Sequence, residues 1–418
     1  MDHKTEILVI GGGAVGICCA YYLSVLGKSV AVVEKNDICS GSSYGNAGLL
    51  VPSYSIPLAA PGAVAQGLKW MFKPQSPFYI KPRLDRELLS WLWKFRGACT
   101  RQHVRRSIPV LRELNMASLN LFEELAAGEG LDFGLKRRGI VELFNTGKAL
   151  KAGIEDVRLL REFAIEGRIL EAGELKELTD GLRTNAVGGI YFPQDAHLIP
   201  DRFVRQLARR VEEKGVNLFA ATEVLDFDVS GRRVKTIKTT RGTIAAEEII
   251  LTAGCWSADI ARRLRFKVHM TPAKGYSITY RKPSPCPALP INLAEARTIL
   301  TPMENMLRFA GTLELAGFDL SINLPRVQAI LKAVSAYLPD INPDALELIE
   351  VWRGLRPCSP DGLPYIGRLP RYDNVIIATG HGMLGISLAP VTGKLVSQLS
   401  AQQIPTIDMT ALSVERFD

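Results

Sequence analysis

The chain has 418 residues, 47% of them hydrophobic and 22% charged. That balance excludes a disordered chain or a coiled coil and, at roughly 150 residues per domain, predicts two or three domains with a core large enough for an enzyme. Lys and Arg outnumber Asp and Glu by 51 to 43, a net charge of +8, but the excess forms no tail, so an anionic ligand, partner or membrane face is expected before nucleic acid.

The seven cysteines include no C-x-x-C pair and the five histidines no H-E-x-x-H. No disulfide framework and no metal site is expected, which fits a reducing compartment. The N-terminal MDHKTEILVIGGG enters a strand almost at once. It leaves no room for a signal peptide, and a cytoplasmic protein is expected.

Residues Ile7 to Ile10 form an apolar run followed by Gly11-Gly12-Gly13-Ala14-Val15-Gly16. A helical segment then reaches about Leu26, stops at Gly27 and gives way to a strand from Ser29 to Val33, ending at Glu34-Lys35. Gly11 permits a tight turn, Gly13 lets a pyrophosphate approach the backbone, and Gly16 lets helix and strand pack closely. The free N–H groups around Ala14 and Val15 face phosphate, and Glu34 accepts from a ribose diol. The expected ligand contains ADP.

No charged residue occurs from Ile38 to Leu68, yet Pro52, Pro57, Pro61 and five glycines interrupt the stretch. A membrane span must satisfy its own backbone, and this segment cannot. Irregular backbone against a large, flat, partly polar object explains it better. Ser42, Ser43, Asn46, Ala47, Gly48 and Leu49 can follow an extended diphosphate to an isoalloxazine ring. From Lys69 to Arg106, Trp70, Phe72, Phe78, Tyr79, Trp91, Trp93 and Phe95 stand among basic residues. This composition suits peripheral membrane contact and equally an amphipathic helix pair covering the core.

Helices are expected over 111–127 and from Pro200-Asp201 to Gly215, then strands over 216–219, 223–229, 234–239 and 243–251, the last three a meander. The meander ends in the corner Thr252-Ala253-Gly254-Cys255-Trp256-Ser257. Strands over 274–281, 298–301 and 306–314 predict a second sheet, with a helix over 326–338. Near the C-terminus, Trp352-Arg353-Gly354-Leu355-Arg356-Pro357 leads to Asp361-Gly362. A strand over 374–378 then runs into Thr379-Gly380-His381-Gly382-Met383-Leu384-Gly385 and a helix. A helix N-terminus fed by glycines is suited to the negative charge that develops at the N1/C2=O edge of a reduced flavin.

These motifs together resemble the flavin amine oxidoreductases of the D-amino-acid oxidase type, most closely the bacterial D-amino-acid dehydrogenases. The resemblance also rests on Lys274-Gly275-Tyr276-Ser277 and Arg308-Phe309-Ala310-Gly311-Thr312-Leu313-Glu314, and covers nearly the whole chain. It implies an α/β fold. A Rossmann-type FAD-binding domain is assembled from discontinuous segments, 1–58, 183–266 and 346–418. An α+β substrate domain with an antiparallel sheet comprises 59–182 and 267–345. Val224 would touch adenine through its backbone, and Ala253, Gly254 and Trp256 would complete the cofactor site with Gly354 and residues 380–385. Related sarcosine oxidases attach flavin to a cysteine ahead of the Pro-Asp motif. Gly354 stands there, and Cys358 is too close to that motif, so noncovalent FAD is expected. His197 and Arg353 depart from the expected pattern and point to a particular substrate, such as a cyclic imino acid.

The implied chemistry is oxidation of a Cα–N bond, with hydride passing to flavin N5. Its main requirement is a cation for the substrate carboxylate. Arg308 is the first choice and Arg356 the second; Tyr276 would donate to the carboxylate, and His381 would donate to the flavin edge. The expected activity is FAD-dependent dehydrogenation of D-amino acids, including D-proline or 4-hydroxy-D-proline. The alternatives are a glycine- or sarcosine-type oxidase using O2 and an electron-relay subunit of a complex. The electron acceptor (quinone, protein partner or O2) stays open.

Overall fold

The computed structural model describes residues 2–71, 76–83 and 85–417, so Phe72 lies outside the described residues. Two large sheets organise them. In the eight-stranded sheet the strands Asp2–Ile10, Val30–Val33 and Asn217–Phe219 run parallel in that order. On the other side of Asp2–Ile10 lies Gly242–Leu251, also parallel. The outer edge of Gly242–Leu251 is shared: its first half pairs antiparallel with Arg233–Thr239, its last residues parallel with Val375–Thr379. N-terminal, central and C-terminal segments thus meet in one sheet.

Alternation along these strands builds two cores. Ile7, Val9, Val30 and Val32 pack against the helices Ala14–Val25, Pro200–Glu213 and Ala389–Ser400. Leu8, Ile10, Ala31 and Val33 pack against the meander and the helix Ser257–Arg263. The first and last helices approach closely because Gly393 faces Cys18, whose backbone a Cβ at position 393 would meet at 2.6 Å.

The second sheet has nine strands. Its main order is Leu348–Cys358, Thr271–Arg281, Met306–Leu315, Thr298–Met303, Ile291–Leu293, Ile140–Phe144, Gly188–Phe192 and Arg168–Leu170. Adjacent pairs are antiparallel except Ile291–Leu293 with Ile140–Phe144. The strand Leu348–Cys358, which the sequence division groups with the nucleotide-binding segments, pairs along its length with Thr271–Arg281. Gly188–Phe192, within the expected 183–266 segment, likewise joins the second sheet.

Directly paired residues share a face, and the two faces of this sheet differ sharply. One carries Val141, Leu143, Tyr276, Ile278, Ile291, Leu293, Leu300, Leu307 and Phe309, packed under Val327, Ile330 and Val334 of the helix Leu324–Tyr337. The register places Trp352, Ser277, Ala310, Ile299, Asn292 and Glu142 in one row across the opposite face. Glu350, Thr279, Arg308 and Thr301 form the next row. This second face is polar and looks toward the chain that follows the first nucleotide-binding turn.

The aromatic and basic stretch contributes the helix Arg86–Ala98, N-capped by Asp85. Trp91 is buried, stacks on Phe95 at 5.1 Å and donates its Nε1–H to Cys358 O at 2.8 Å, whereas Trp93 is 73% exposed. Among the described residues no helix is long and apolar enough to cross a membrane.

Candidate active site

The first turn is shaped by close approach. Gly11 has φ +114°, and a Cβ there would stand 2.6 Å from Thr252 O. A Cβ at Gly16 would stand 1.9 Å from Gly11 O. The helix Ala14–Val25 starts from extended Gly13 with no acidic residue in its first turn, so its N–H groups and dipole are available to an anion. Val15, in that first turn, packs half-buried on the core. Ser43 Oγ accepts the Ala14 N–H at 2.9 Å, which brings the following loop onto the helix start.

At the end of Val30–Val33 the Glu34 carboxylate accepts from Gly12 N at 2.9 Å and Asn36 N at 3.0 Å. Lys35 Nζ lies 3.5 Å from the centre of the Trp256 ring. The Ala253-Gly254 corner is tied to the C-terminal segment by Thr379 Oγ1, which donates to Gly254 O at 3.0 Å. Val224 O accepts from the Arg263 guanidinium at 2.9 Å. Ser42 Oγ donates to Leu355 O, joining the loop to the Gly-Leu-Arg-Pro strand.

The loop from Ser42 to Ser55 crosses the polar face of the second sheet. Asn46 folds it: Nδ2 donates to Ser42 O and Ser43 O, and Oδ1 accepts from Gly48 N at 2.8 Å. Ala47 packs against the first core, and Leu49 pairs with His197. The Trp352 indole is wedged between two chains, since a Cβ at Gly45 would meet it at 2.2 Å and one at Gly354 at 2.0 Å.

Gly380 and Gly382, with φ +79° and +53°, flank His381. The imidazole is buried, its Nε2 lies 3.0 Å from Thr392 Oγ1, and burial lowers its pKa to about 4. His381 is therefore neutral and turned into the last helix. The sequence expected its ring at the flavin edge; what Gly380 to Gly385 offer is backbone, with Met383 53% exposed beside buried Leu384.

The two arginines have different settings. Arg308 is buried, donating from Nε to Thr279 Oγ1 at 3.0 Å and from NH1 to Tyr44 O at 3.3 Å and Asn46 O at 3.0 Å. With Nε and NH1 it holds the loop, at the residue from which the sequence expects a contact with the substrate carboxylate. Arg356 lies over the backbone of Gly275, where a Cβ would come within 2.1 Å of its NH1. Burial lowers its pKa, NH1 donates to Thr312 O at 2.9 Å, and no carboxylate pairs with it among the described residues. Thr312 itself has φ +63° at the register shift between its strand and Thr271–Arg281, an irregularity that turns its carbonyl to the guanidinium.

Tyr276 is on the opposite face. Its Oη donates to Glu314 at 3.1 Å within a buried cluster that includes Lys274 and Arg326. It therefore does not join Arg356, because parity along the strand directs Gly275 and Ser277 to the polar face and Tyr276 to the core. Arg353 shares the Tyr276 register, and His197 is buried with burial lowering its pKa to about 4.

The polar face carries buried hydroxyls that no described residue satisfies: Ser277 Oγ, Thr301 Oγ1 and, at its edge, Thr312 Oγ1. Such groups are costly unless a bound molecule completes them. With the helix N-terminus, Glu34 and the glycine-lined turns, these donors and acceptors fit a flavin dinucleotide. Sequence reasoning assigned no place in the site to Ser277, Thr301 or Thr312, whose hydroxyls lack partners among the described residues; the alternation of Thr298–Met303 and Thr271–Arg281, which puts Ser277 and Thr301 on the polar face, was the available signal. Among the described residues no His, Cys, Asp and Glu group could hold a metal.

A family model described as FAD dependent oxidoreductase matches residues 6–399. D-amino acid dehydrogenases of Granulibacter bethesdensis and Vibrio atlanticus are each 31% identical, covering 99% of this chain and 99% and 100% of theirs. Among solved structures, glycine oxidase from Geobacillus kaustophilus superposes with a TM-score of 0.81 at 25% identity over the full length of both chains. L-proline dehydrogenase from P. horikoshii shares the fold, with a TM-score of 0.77 at 20% identity over 100% of this chain and 98% of its own.

Proposed function

The chain belongs to the FAD-dependent oxidoreductases, and from that premise we propose that it dehydrogenates D-amino acids or cyclic D-imino acids at the Cα–N bond. Bound FAD would accept the α-hydride, and with it the two electrons of the oxidation. The observation that carries the reading is Arg356, a desolvated guanidinium that pairs with no carboxylate among the described residues, at the edge of a face lined by unsatisfied hydroxyls. A guanidinium fork binds a carboxylate through two parallel hydrogen bonds, and low local dielectric strengthens them.

Arg356 anchors the substrate carboxylate, and Gly275 keeps the backbone beneath it free of a side chain. Trp352 closes one wall. The site needs no strong base, because the lone pair of a neutral substrate amine stabilises the forming iminium. His381, neutral and bonded to Thr392, holds the C-terminal glycine turn in place. The work of the protein is positioning, which supplies several kcal/mol of a barrier of this kind. FAD is held noncovalently, with Gly354 at the position where related sarcosine oxidases carry a tethering cysteine.

Anaerobic bleaching of the flavin by D- but not L-amino acids tests the reading. Arg356→Lys keeps the charge but loses the fork, and should lower kcat/KM at least tenfold, mainly through KM, with flavin content unchanged. An unaltered KM would remove Arg356 from the site. The likeness to a glycine oxidase structure favours a second reading, oxidation of glycine or an N-alkyl glycine by O2. Stoichiometric peroxide from those substrates would replace the first reading by the second.

A further inference from the structure

The helix Arg86–Ala98 has two faces, and the chemistry above uses neither. Leu88 and Trp91 are buried, Leu92 and Phe95 pack beside them, and the Trp91 indole is fixed to Cys358 O. Residues three and four apart share a helical face, so Arg86, Leu89, Trp93 and Arg96 line the side turned away from the core. Leu89 is 61% exposed and Trp93 73%. The Arg96 guanidinium stands over the Trp93 ring, 5.8 Å from its centre. Arg96 also lines an open groove with Val64, Ala65 and Leu68. The neighbouring helix Ala63–Met71 thereby extends the apolar stripe through exposed Leu68.

Positive charge is concentrated in the same part of the chain. From Lys69 to Arg106 there are ten Lys and Arg but only two acids, Asp85 and Glu87. The net charge of that segment is +8, equal to that of the whole chain, so the remainder balances. Both acids are engaged: Asp85 caps the helix and pairs with Arg83 at 2.9 Å, and Glu87 pairs with Arg262 at 2.8 Å. Lys69, Arg86 and Arg96 pair with no carboxylate among the described residues. On the opposite flank of the helix, Arg262, Arg265 and Lys267 line a cavity together with Glu87 and Trp91.

An apolar stripe with an exposed indole, bordered by unpaired cations, matches the boundary of a lipid layer. Indole rings settle at headgroup depth, leucines reach below them, and fluid anionic headgroups meet cations without fixed partner positions. Among the described residues no helix is fit to cross a bilayer, so such a contact lies on the surface. We propose that the exposed face of Arg86–Ala98, with Leu68, docks on an anionic phospholipid bilayer. Leu68, Leu89 and Trp93 enter the interface, and Lys69, Arg86 and Arg96 meet the headgroup phosphates. The contact is independent of which amino acid the enzyme oxidises.

The test uses the flavin-loaded full chain sedimented with vesicles, either phosphatidylcholine alone or equal parts of phosphatidylcholine and phosphatidylglycerol. Partitioning to the anionic vesicles should exceed that to the neutral ones at least tenfold and collapse in high salt. Brominated phosphatidylcholine in the anionic vesicles should quench tryptophan emission, and Trp93→Phe should abolish most of that quenching. Leu89→Ser with Trp93→Ser, and separately Arg86→Gln with Arg96→Gln, should each lower partitioning at least fivefold. Flavin content and thermal midpoint identify a variant that has merely lost its fold, and the other pair then decides. Equal partitioning to both vesicles, binding that survives both double substitutions, or quenching that survives Trp93→Phe overturns the proposal. So does a chain that ignores vesicles yet sediments with protein-bearing membranes until protease strips them, which would mark the face as a protein contact.

Discussion

Arg308 and Arg356 stand on the two strands that flank Thr271–Arg281 in the same sheet, and the sequence singled out both as candidate cations. What the residue pattern did not reveal was which carbonyls lay within reach. Two donor contacts of Arg308 hold the turn containing Tyr44 and Asn46 while a third fixes it to Thr279, a long-range pairing that no local spacing encodes. Arg308→Lys keeps the charge but cannot span Thr279 and both carbonyls. It should weaken FAD retention at least fivefold, read as flavin released on dilution, while KM for amino acid in the fully loaded enzyme moves less than threefold. Tyr276 was misplaced for a different reason. Alternation tells which residues share a face, but not which face is the core. The apolar neighbours Ile278 and Phe309 hinted at the answer, yet the motif Lys-Gly-Tyr-Ser drew the reading to the tyrosine when its glycine and serine face the site.

At the scale of elements, strongly periodic segments were the most legible. The helix expected from Pro200 ends at Glu213 just before Gly215, and the meander strands appear where turn residues bound them. The helix read over 111–127 in fact spans Arg101–Gly128 and contains Pro109. Thr100 caps its start, its Oγ1 accepting from His103 N at 3.1 Å, so the helix tolerates the proline instead of beginning after it. This helix also supports the site. Asn115 Nδ2 donates to Leu111 O, its Oδ1 accepts from Ser387 Oγ at 2.6 Å, and Ser387 Oγ accepts the Val51 N–H at 3.1 Å. All three residues are buried, so Ser387→Ala leaves a donor and an acceptor without partners. The expected cost is about 1–3 kcal/mol, measurable as a lower urea midpoint at unchanged slope.

For the whole molecule, buried titratable groups of opposite sense set the response to pH. Burial holds His197 and His381 at about 4, down from 6.5. The unfolded chain takes up protons on these groups first, so their contribution is complete above pH 6.5 and is lost as pH falls toward about 4. Asp195 behaves inversely: burial raises its pKa from 3.8 to about 8. Its contribution is present in acid and is lost as pH rises through about 8. The thermal midpoint should therefore peak near neutrality and fall on both sides, and Asp195→Asn should flatten the alkaline limb. A profile with no acid limb would mean that both imidazoles titrate normally.

The second sheet keeps its greasy side under one helix and its working side elsewhere, so the two are mutated independently. Randomising Ser277 or Thr301 changes the polar face without opening a void beneath Leu324–Tyr337. A combinatorial library confined to those codons should consequently retain a high proportion of folded, yellow clones. The scaffold is in that sense ready-made for laboratory evolution of new selectivity.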